Sequence, residues 1–314
     1  MHFDYARKIT ALIILLGLAL LLNGCGAEIP GFPSRPSESE PESVYEIPEM
    51  KMAYFHPEAA EGNSEAKLDI SCVNEGYVAL RVDSDAGIKF QVLKDEDVYT
   101  YSVIQREDQI FPLQWGDGDY IFRVMKNVED NKYYEIYRCE TSVVLDNEFD
   151  PFLRPNQYAD FYEGRACVEL AREFAEESKS DTDFVGKVYK YVCKNITYDD
   201  DKAQMAVDGQ LKGYVPDPDR TLEEKKGICF DYACLAASML RSQGVPTKII
   251  FGYVAPDDLY HAWNMFYTKE GGWVTVKFSA PEDEWSRIDL TFSANGADSK
   301  FIGDGSNYMD VYQF

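Results

Sequence analysis

The chain is poor in positive charge, in histidine and in long apolar runs. It sets 31 Lys and Arg against 55 Asp and Glu, a formal net charge of −24. Such a surface repels phosphate backbones and anionic headgroups, so nucleic-acid binding is disfavoured and solubility outside the cytoplasm is favoured. Its three histidines are too few for a clustered metal site, and no Cys-x-x-Cys occurs among its seven cysteines. No metal centre or cofactor is therefore expected. The six cysteines after Cys25 are scattered, without the compact spacing of a disulfide framework. Cys72 and Cys139 could pair across a sheet, but connectivity is not readable from spacing.

The one long apolar run, ITALIILLGLALLL, has about 14 residues where a bilayer span needs about 20. Arg7 and Lys8 precede it and Asn23-Gly24-Cys25 follows, the pattern of a secretory signal. Leu22-Asn23-Gly24-Cys25 also resembles a bacterial lipobox. That resemblance implies lipidation of Cys25 and an extracytoplasmic protein lipid-anchored to the cell membrane, with residues 1–24 as signal peptide. Residues 25–48, rich in Pro, Ser and Glu, bury too little apolar surface to offset their ordering entropy and are expected to form a disordered tether. From Cys25 to Val44, extended at about 3.1 Å per residue, it would reach on the order of 60 Å.

Two regions follow. Residues 49–148 hold short β-branched and aromatic runs (KLDISCV, YVALRVD, IKFQVLK, YTYSVIQ, QIFPLQW, DYIFRVMK, KYYEIYRCE and SVVLD) separated by turn signals such as Asn74-Glu75-Gly76 and Glu129-Asp130-Asn131. This pattern predicts a small β-sandwich without a catalytic constellation. Residues 149–314 change period: helices over YADFYEGRACVELAREFAEES and TDFVGKVYKYVCKNI, the second capped by Ser180-Asp181-Thr182, then a helix opening at Cys229 and closing near Gly244. The strands KIIFGYV, HAWNMFYT, GGWVTVKF and WSRIDLTF come after. Helices first and antiparallel strands second indicate an α+β domain. Cys167 and Cys193 fall on or beside apolar stripes and read as core thiols. Asp199-Asp200-Asp201 reads as a solvated loop.

The chemistry gathers in KKGICFDYACLAASML. Cys229 and Cys234, five residues apart, are separated by about 140° around a helix, so they form neither a metal pair nor a disulfide. Cys234 reads as core. Cys229 sits where the helix begins: unpaired N–H groups and the positive dipole end favour a thiolate there and can hold a developing oxyanion. A thiolate nucleophile needs a base, and His261, in the strand after this helix, is the candidate. The imidazole in turn needs a carboxylate to fix its tautomer. Asp289, in WSRIDLTF, has the right chemistry, whereas a lysine at the equivalent frame, Lys277 in WVTVK, would disfavour the imidazolium.

GICFDYA, GVPTKIIFGYV, HAW and a Trp–x–x–x–Asp–x–Thr segment together resemble the transglutaminase-like (papain-fold) superfamily over about residues 155–293. The resemblance implies a papain-like core with Cys229 as nucleophile, His261 as general base and acid, and Asp289 as orienter. One departure stands out: Lys277 occupies the place, directly after GGWV, where the family often carries its aspartate. An inserted hairpin would leave Asp289 in the role. The expected activity is acyl transfer to an amine or hydrolysis of an amide or peptide bond, by a transglutaminase-like acyltransferase or cysteine peptidase. The substrate is expected to be protein or peptide, with cell-wall peptide one option. The alternative is a catalytically idle fold kept as a surface binding or scaffold module.

Overall fold

Alternation of inward apolar and outward polar residues sets the first half of the chain. In the computed structural model, residues 44–254, 259–269, 271–276 and 308–314 are described. The signal segment, Cys25, most of the tether, Lys277, Asp289 and the WSRIDLTF strand lie outside them. Eight strands come first: β1 (Glu61–Gly62), β2 (Ala66–Asp69), β3 (Tyr77–Val82), β4 (Ile88–Lys94), β5 (Asp97–Ser102), β6 (Asp108–Pro112), β7 (Gly118–Glu129) and β8 (Lys132–Val143). They pair antiparallel into two four-stranded sheets, ordered β1-β2-β3-β6 and β5-β4-β7-β8. In β4, Ile88, Phe90 and Val92 point inward; in β5, Tyr99 and Tyr101 do. Phe90 of one sheet meets Phe111 of the other with ring centroids 4.6 Å apart, closing the sandwich.

The sequence separates KYYEIYRCE from SVVLD, but the structure joins them. Thr141 and Ser142 carry β8 on against β7 as far as the Gly118–Val143 pair. The ladder shifts register twice, between Val124 and Met125 and between Asn127 and Glu129, both towards its hairpin end. The turn itself falls at the expected Glu129-Asp130-Asn131, with Asp130 left-handed at φ 48°.

A buried carboxylate ties the segment before β1 to this sandwich. Asp69, 2% exposed, accepts hydrogen bonds from the Ser71 amide (2.9 Å) and hydroxyl (2.6 Å), from the His56 amide (2.8 Å) and from His56 Nδ1 (2.9 Å). Burial alone would raise its pKa, but these bonds, those of Ser71 foremost, hold it below the ordinary carboxylate value. A depressed carboxylate stabilises the fold above the unfolded-state pKa and stops doing so as pH falls through the folded one. Asp69→Ala should therefore cost about 2–3 kcal/mol at pH 7. In urea titrations the deficit should shrink markedly by about pH 3. An equal deficit at both pH values would assign the cost to packing alone.

The second half begins with α1 (Ala166–Glu176) and α2 (Asp181–Asn195). Ser180 caps α2 as the sequence suggests, its hydroxyl accepting from the Asp183 amide at 3.1 Å. Cys167 is fully buried and Cys193 partly so, against the same apolar cluster. Next come β9 (Thr197–Tyr198), α3 (Asp200–Val207), α4 (Pro218–Glu224) and β10 (Lys226–Gly227), with β9 and β10 parallel. The central helix α5 (Cys229–Ser242) leads to β11 (Thr247–Val254), β12 (Leu259–Thr268), β13 (Gly272–Val276) and β14 (Tyr308–Gln313). These form an antiparallel sheet ordered β13-β12-β11-β14. The result is an α+β fold, a core of helices on an antiparallel sheet preceded by a β-sandwich.

Helix α5 is buried at every residue from Asp231 to Ser242. Tyr232, Leu235, Ala236, Met239 and Leu240 pack with α1, α2 and Phe266 of β12. Ala233, Cys234 and Ala237 instead join Ile249, Ala262 and the sandwich residues in one continuous core. A helix apolar on all sides is one packed on all sides, and its small residues admit close neighbours. Asn264 of β12, for example, donates from Nδ2 to the Ala233 carbonyl at 3.0 Å.

Two features depart from the sequence reading. Asp199-Asp200-Asp201 opens a helix: the Asp199 carboxylate caps α3 by accepting from the Lys202 amide at 3.0 Å. Tyr45, at the end of the expected tether, is docked. Its ring stacks on Phe184 (centroids 5.6 Å), its hydroxyl donates to the Gln243 carbonyl at 2.6 Å, and its amide donates to the Ser178 carbonyl. One aromatic ring with a polar tip is enough to anchor a polar stretch. No disulfide joins the described cysteines, Cys72 and Cys139 included. Among the described residues, no helix is long and apolar enough to cross a membrane.

Candidate active site

The turn into α5 is built around a missing side chain. A Cβ on Gly227 would lie 2.6 Å from Cβ of Asp231, so only glycine leaves room for that carboxylate. Asp231 folds back over the turn and accepts from the Ile228 amide at 2.7 Å, satisfying one of the donors a helix start leaves unpaired. Gly227 pairs with Tyr198 of β9, which fixes the approach of the chain. Cys229 is thereby set at the first position of the helix, as its sequence context requires.

The Cys229 thiol reaches across to the sheet. The main-chain amides of Ala262, on β12, and of Phe230, on its own helix, act on it and favour its charged form. Ala262 immediately follows His261, so the structure brings the thiol to the strand at the residue adjoining the histidine. His261 is buried at 9% exposure, and strand alternation sets its ring on the side of Trp263, with centroids 6.5 Å apart and planes at 19°. Phe230, Tyr158 and Phe251 wall the site: Phe230 lies 5.5 Å from Tyr158 and 4.8 Å from Phe251 between ring centroids.

The electrostatics of the thiol differ from the sequence expectation. A helix N-terminus lowers a thiol's pKa, yet that of Cys229 is raised. Burial is the dominant cause; the amides of Ala262 and Phe230 pull the value down, and the Asp231 carboxylate pushes it up again. A thiolate here must therefore be made by proton transfer to a base in the site rather than held in advance. Cys234 is fully buried in the core, as expected. Burial pushes its thiol up too, and Cys193 to about 11, which leaves both inert.

A group that sequence reading overlooks stands behind Cys229. Lys202 of α3 places its ammonium 2.8 and 2.9 Å from the two Asp231 oxygens, and the Tyr214 hydroxyl donates to the same carboxylate. The available signal was the acidic residue three positions after the helix cap, a variant of the capping-box spacing. Nothing in the sequence near Cys229 pointed to Lys202, 27 residues earlier.

The fold and site can be set beside known proteins. The profile of the Transglutaminase-like superfamily matches residues 168–278. The UPF0252 protein MJ1282 of Methanocaldococcus jannaschii is 27% identical over 114 residues, 34% of this chain and 32% of that protein. The chain thus spans about a third of that relative's length. Among solved structures, a candidate cysteine protease from Cytophaga hutchinsonii aligns over 76% of this chain and 86% of its own, at 15% identity and a TM-score of 0.35. A TGase aligns over 58% of this chain and 49% of its own, at 20% identity and a TM-score of 0.33. The chain carries a transglutaminase-like superfamily domain. Cys229 and His261 lie within the matched segment, as does Lys277; Asp289 lies beyond its end.

Proposed function

We propose that the protein is a lipid-anchored, extracytoplasmic thiol enzyme acting on amide or peptide bonds. Cys229 attacks the acyl carbon, His261 takes the thiol proton and returns it to the departing amine, and Asp289 orients the imidazole. The acyl-enzyme is resolved by an amine or by water, which makes the activity transglutaminase-like or that of a cysteine peptidase. Protein or peptide, cell-wall peptide included, is the substrate class, and lipid on Cys25 would hold the enzyme at the membrane. The observation that carries this reading is the Cys229 thiol, at the start of a buried helix, beside the main-chain amide of the residue after His261. The amides there suit an oxyanion as well as a thiolate.

A second reading, an idle fold kept as a surface binding module, is favoured by one observation. The family match contains Lys277 at the aspartate frame and stops before Asp289. Labelling with an acyl-type active-site probe separates the two. Wild-type protein should label on Cys229, and Cys229→Ala should abolish it. Asp289→Asn should reduce labelling by orders of magnitude while Lys277→Ala leaves it near wild type. Equal labelling of wild type and Cys229→Ala would sink the enzyme reading, and a reversed Asp289 and Lys277 result would reject Asp289 as orienter.

A further inference from the structure

Asp231 presents an electrostatic problem that the proposed reaction must solve. It is 1% exposed and stands two residues after the nucleophile, in the same helical turn. Its carboxylate is needed there, because it satisfies the Ile228 amide in the space Gly227 leaves. Uncompensated, however, a buried negative charge beside Cys229 opposes a second negative charge on sulfur and cancels the positive end of the helix. The compensation comes from outside the helix. Lys202 straddles both oxygens at 2.8 and 2.9 Å, and Tyr214 donates to one of them and touches the ammonium.

The location of these two residues makes the arrangement more than a surface ion pair. Helix α3 buries none of its residues, and the loop after it is largely exposed. Lys202 itself is largely covered, with 21% of its side chain exposed. Its main chain is pinned by the Asp199 cap at 3.0 Å, and Asp199 pairs in turn with Lys226 at 3.0 Å, next to the turn that leads into Cys229. An otherwise unburied segment thus reaches in with one cation at the point where the nucleophile's helix carries its one acidic first-turn residue.

We propose that Lys202, supported by Tyr214, is a positioning residue for Cys229: it holds and neutralises Asp231, so that the start of α5 stays electropositive where the thiolate forms. This deepens the thiol-enzyme reading and rests on it. The titratable groups that act on the sulfur are Asp231 and Cys234 on its own helix and Tyr198 on β9; from β12 it is the Ala262 amide, next to His261 in sequence, that does so. Asp231 is bound by the Lys202 ammonium, which makes that contact the adjustable one.

The test is the pH dependence of Cys229 alkylation by iodoacetamide, followed on the Cys229 peptide by mass spectrometry so that other thiols do not contribute. Lys202→Met should raise the midpoint by about one pH unit and slow alkylation at pH 7.5 about tenfold. Lys202→Arg should keep the wild-type profile. Adding Asp231→Asn to Lys202→Met should return the midpoint to near wild type, because no charge is then left uncompensated. Asp231→Asn alone keeps an acceptor for the Ile228 amide and should lower the midpoint. A wild-type midpoint in Lys202→Met, or a double variant as displaced as the single one, overturns the proposal. Should Lys202→Met fail to fold, an unmoved or raised midpoint in Asp231→Asn does the same. The profile reads the thiol whether or not an amide is turned over. A shifted profile with no turnover would therefore defeat the enzyme reading alone.

Discussion

His261→Ala is expected to slow acylation of Cys229 by a peptide-like probe about 10²- to 10⁴-fold at neutral pH, the usual worth of a positioned general base. The size of the effect follows from the state of the thiol. Burial holds the Cys229 pKa above its ordinary value near 9, so below that pH the sulfur is protonated unless a neighbour takes the proton. The sign of the pH dependence follows as well. As pH rises through the thiol's own pKa, solvent hydroxide supplies the thiolate and the base becomes dispensable. The gap between wild type and His261→Ala should therefore narrow steeply above about pH 9. His56→Ala, at the other described histidine, should show no such gap. Rates measured from pH 6 to 10.5 check this, and a constant ratio across the range would mean that His261 acts by packing against Trp263 rather than as a base.

The second large effect concerns stability. Arg241 near the end of α5 is fully buried, and its guanidinium donates to three carbonyls: Thr247 at 2.8 Å, Arg154 at 3.0 Å and Phe314 at 2.8 Å. These belong to the start of β11, the segment leading to α1 and the residue after β14. Burial pushes its pKa down, and the carbonyl oxygens supply the negative poles that hold the charge inside. Arg241→Ala takes a donor from each of three carbonyls, of which Phe314 keeps the Ile249 amide at 2.7 Å, and leaves a void, and should destabilise the protein by about 3–5 kcal/mol. Arg241→Met fills the volume without a charge to desolvate and should recover part of that loss. Urea unfolding of the two variants beside wild type decides it, and a loss under about 1 kcal/mol in Arg241→Ala would show that water replaces the guanidinium.

The parts of this fold legible in the sequence are those with a local cause. Strands such as β4 and β5 alternate because one face is wet, and their turns carry Gly, Asn and Asp where the backbone needs them. The Cys229 helix was visible because Gly227 and the long apolar run that follows mark its start. Helix α4 was legible in principle: Asp217 caps it and Pro218 opens it, a pairing easily taken for an irregular loop between two prolines. What escaped depended on distant partners. The continuation of β8 through Thr141 and Ser142 is dictated by β7, the β9–β10 pair by the packing of α5, and the Lys202–Asp231 contact by a fold that no local window contains. The thiol's raised pKa is of the same kind, since burial in the folded core outweighs the helix end that the sequence made visible.

The packing of α5 also bears on how such a protein can change over evolutionary time. One side of this helix is completed by Ala233, Cys234 and Ala237 lying in the same core as the sandwich residues. The sandwich is therefore not a detachable module that could be lost, duplicated or exchanged without consequence for the nucleophile. Removing it would open the core that Ala233, Cys234 and Ala237 share with Ile249, Ala262 and Phe314. Any lineage that alters the inner face of the sandwich must repack the back of its own candidate active site.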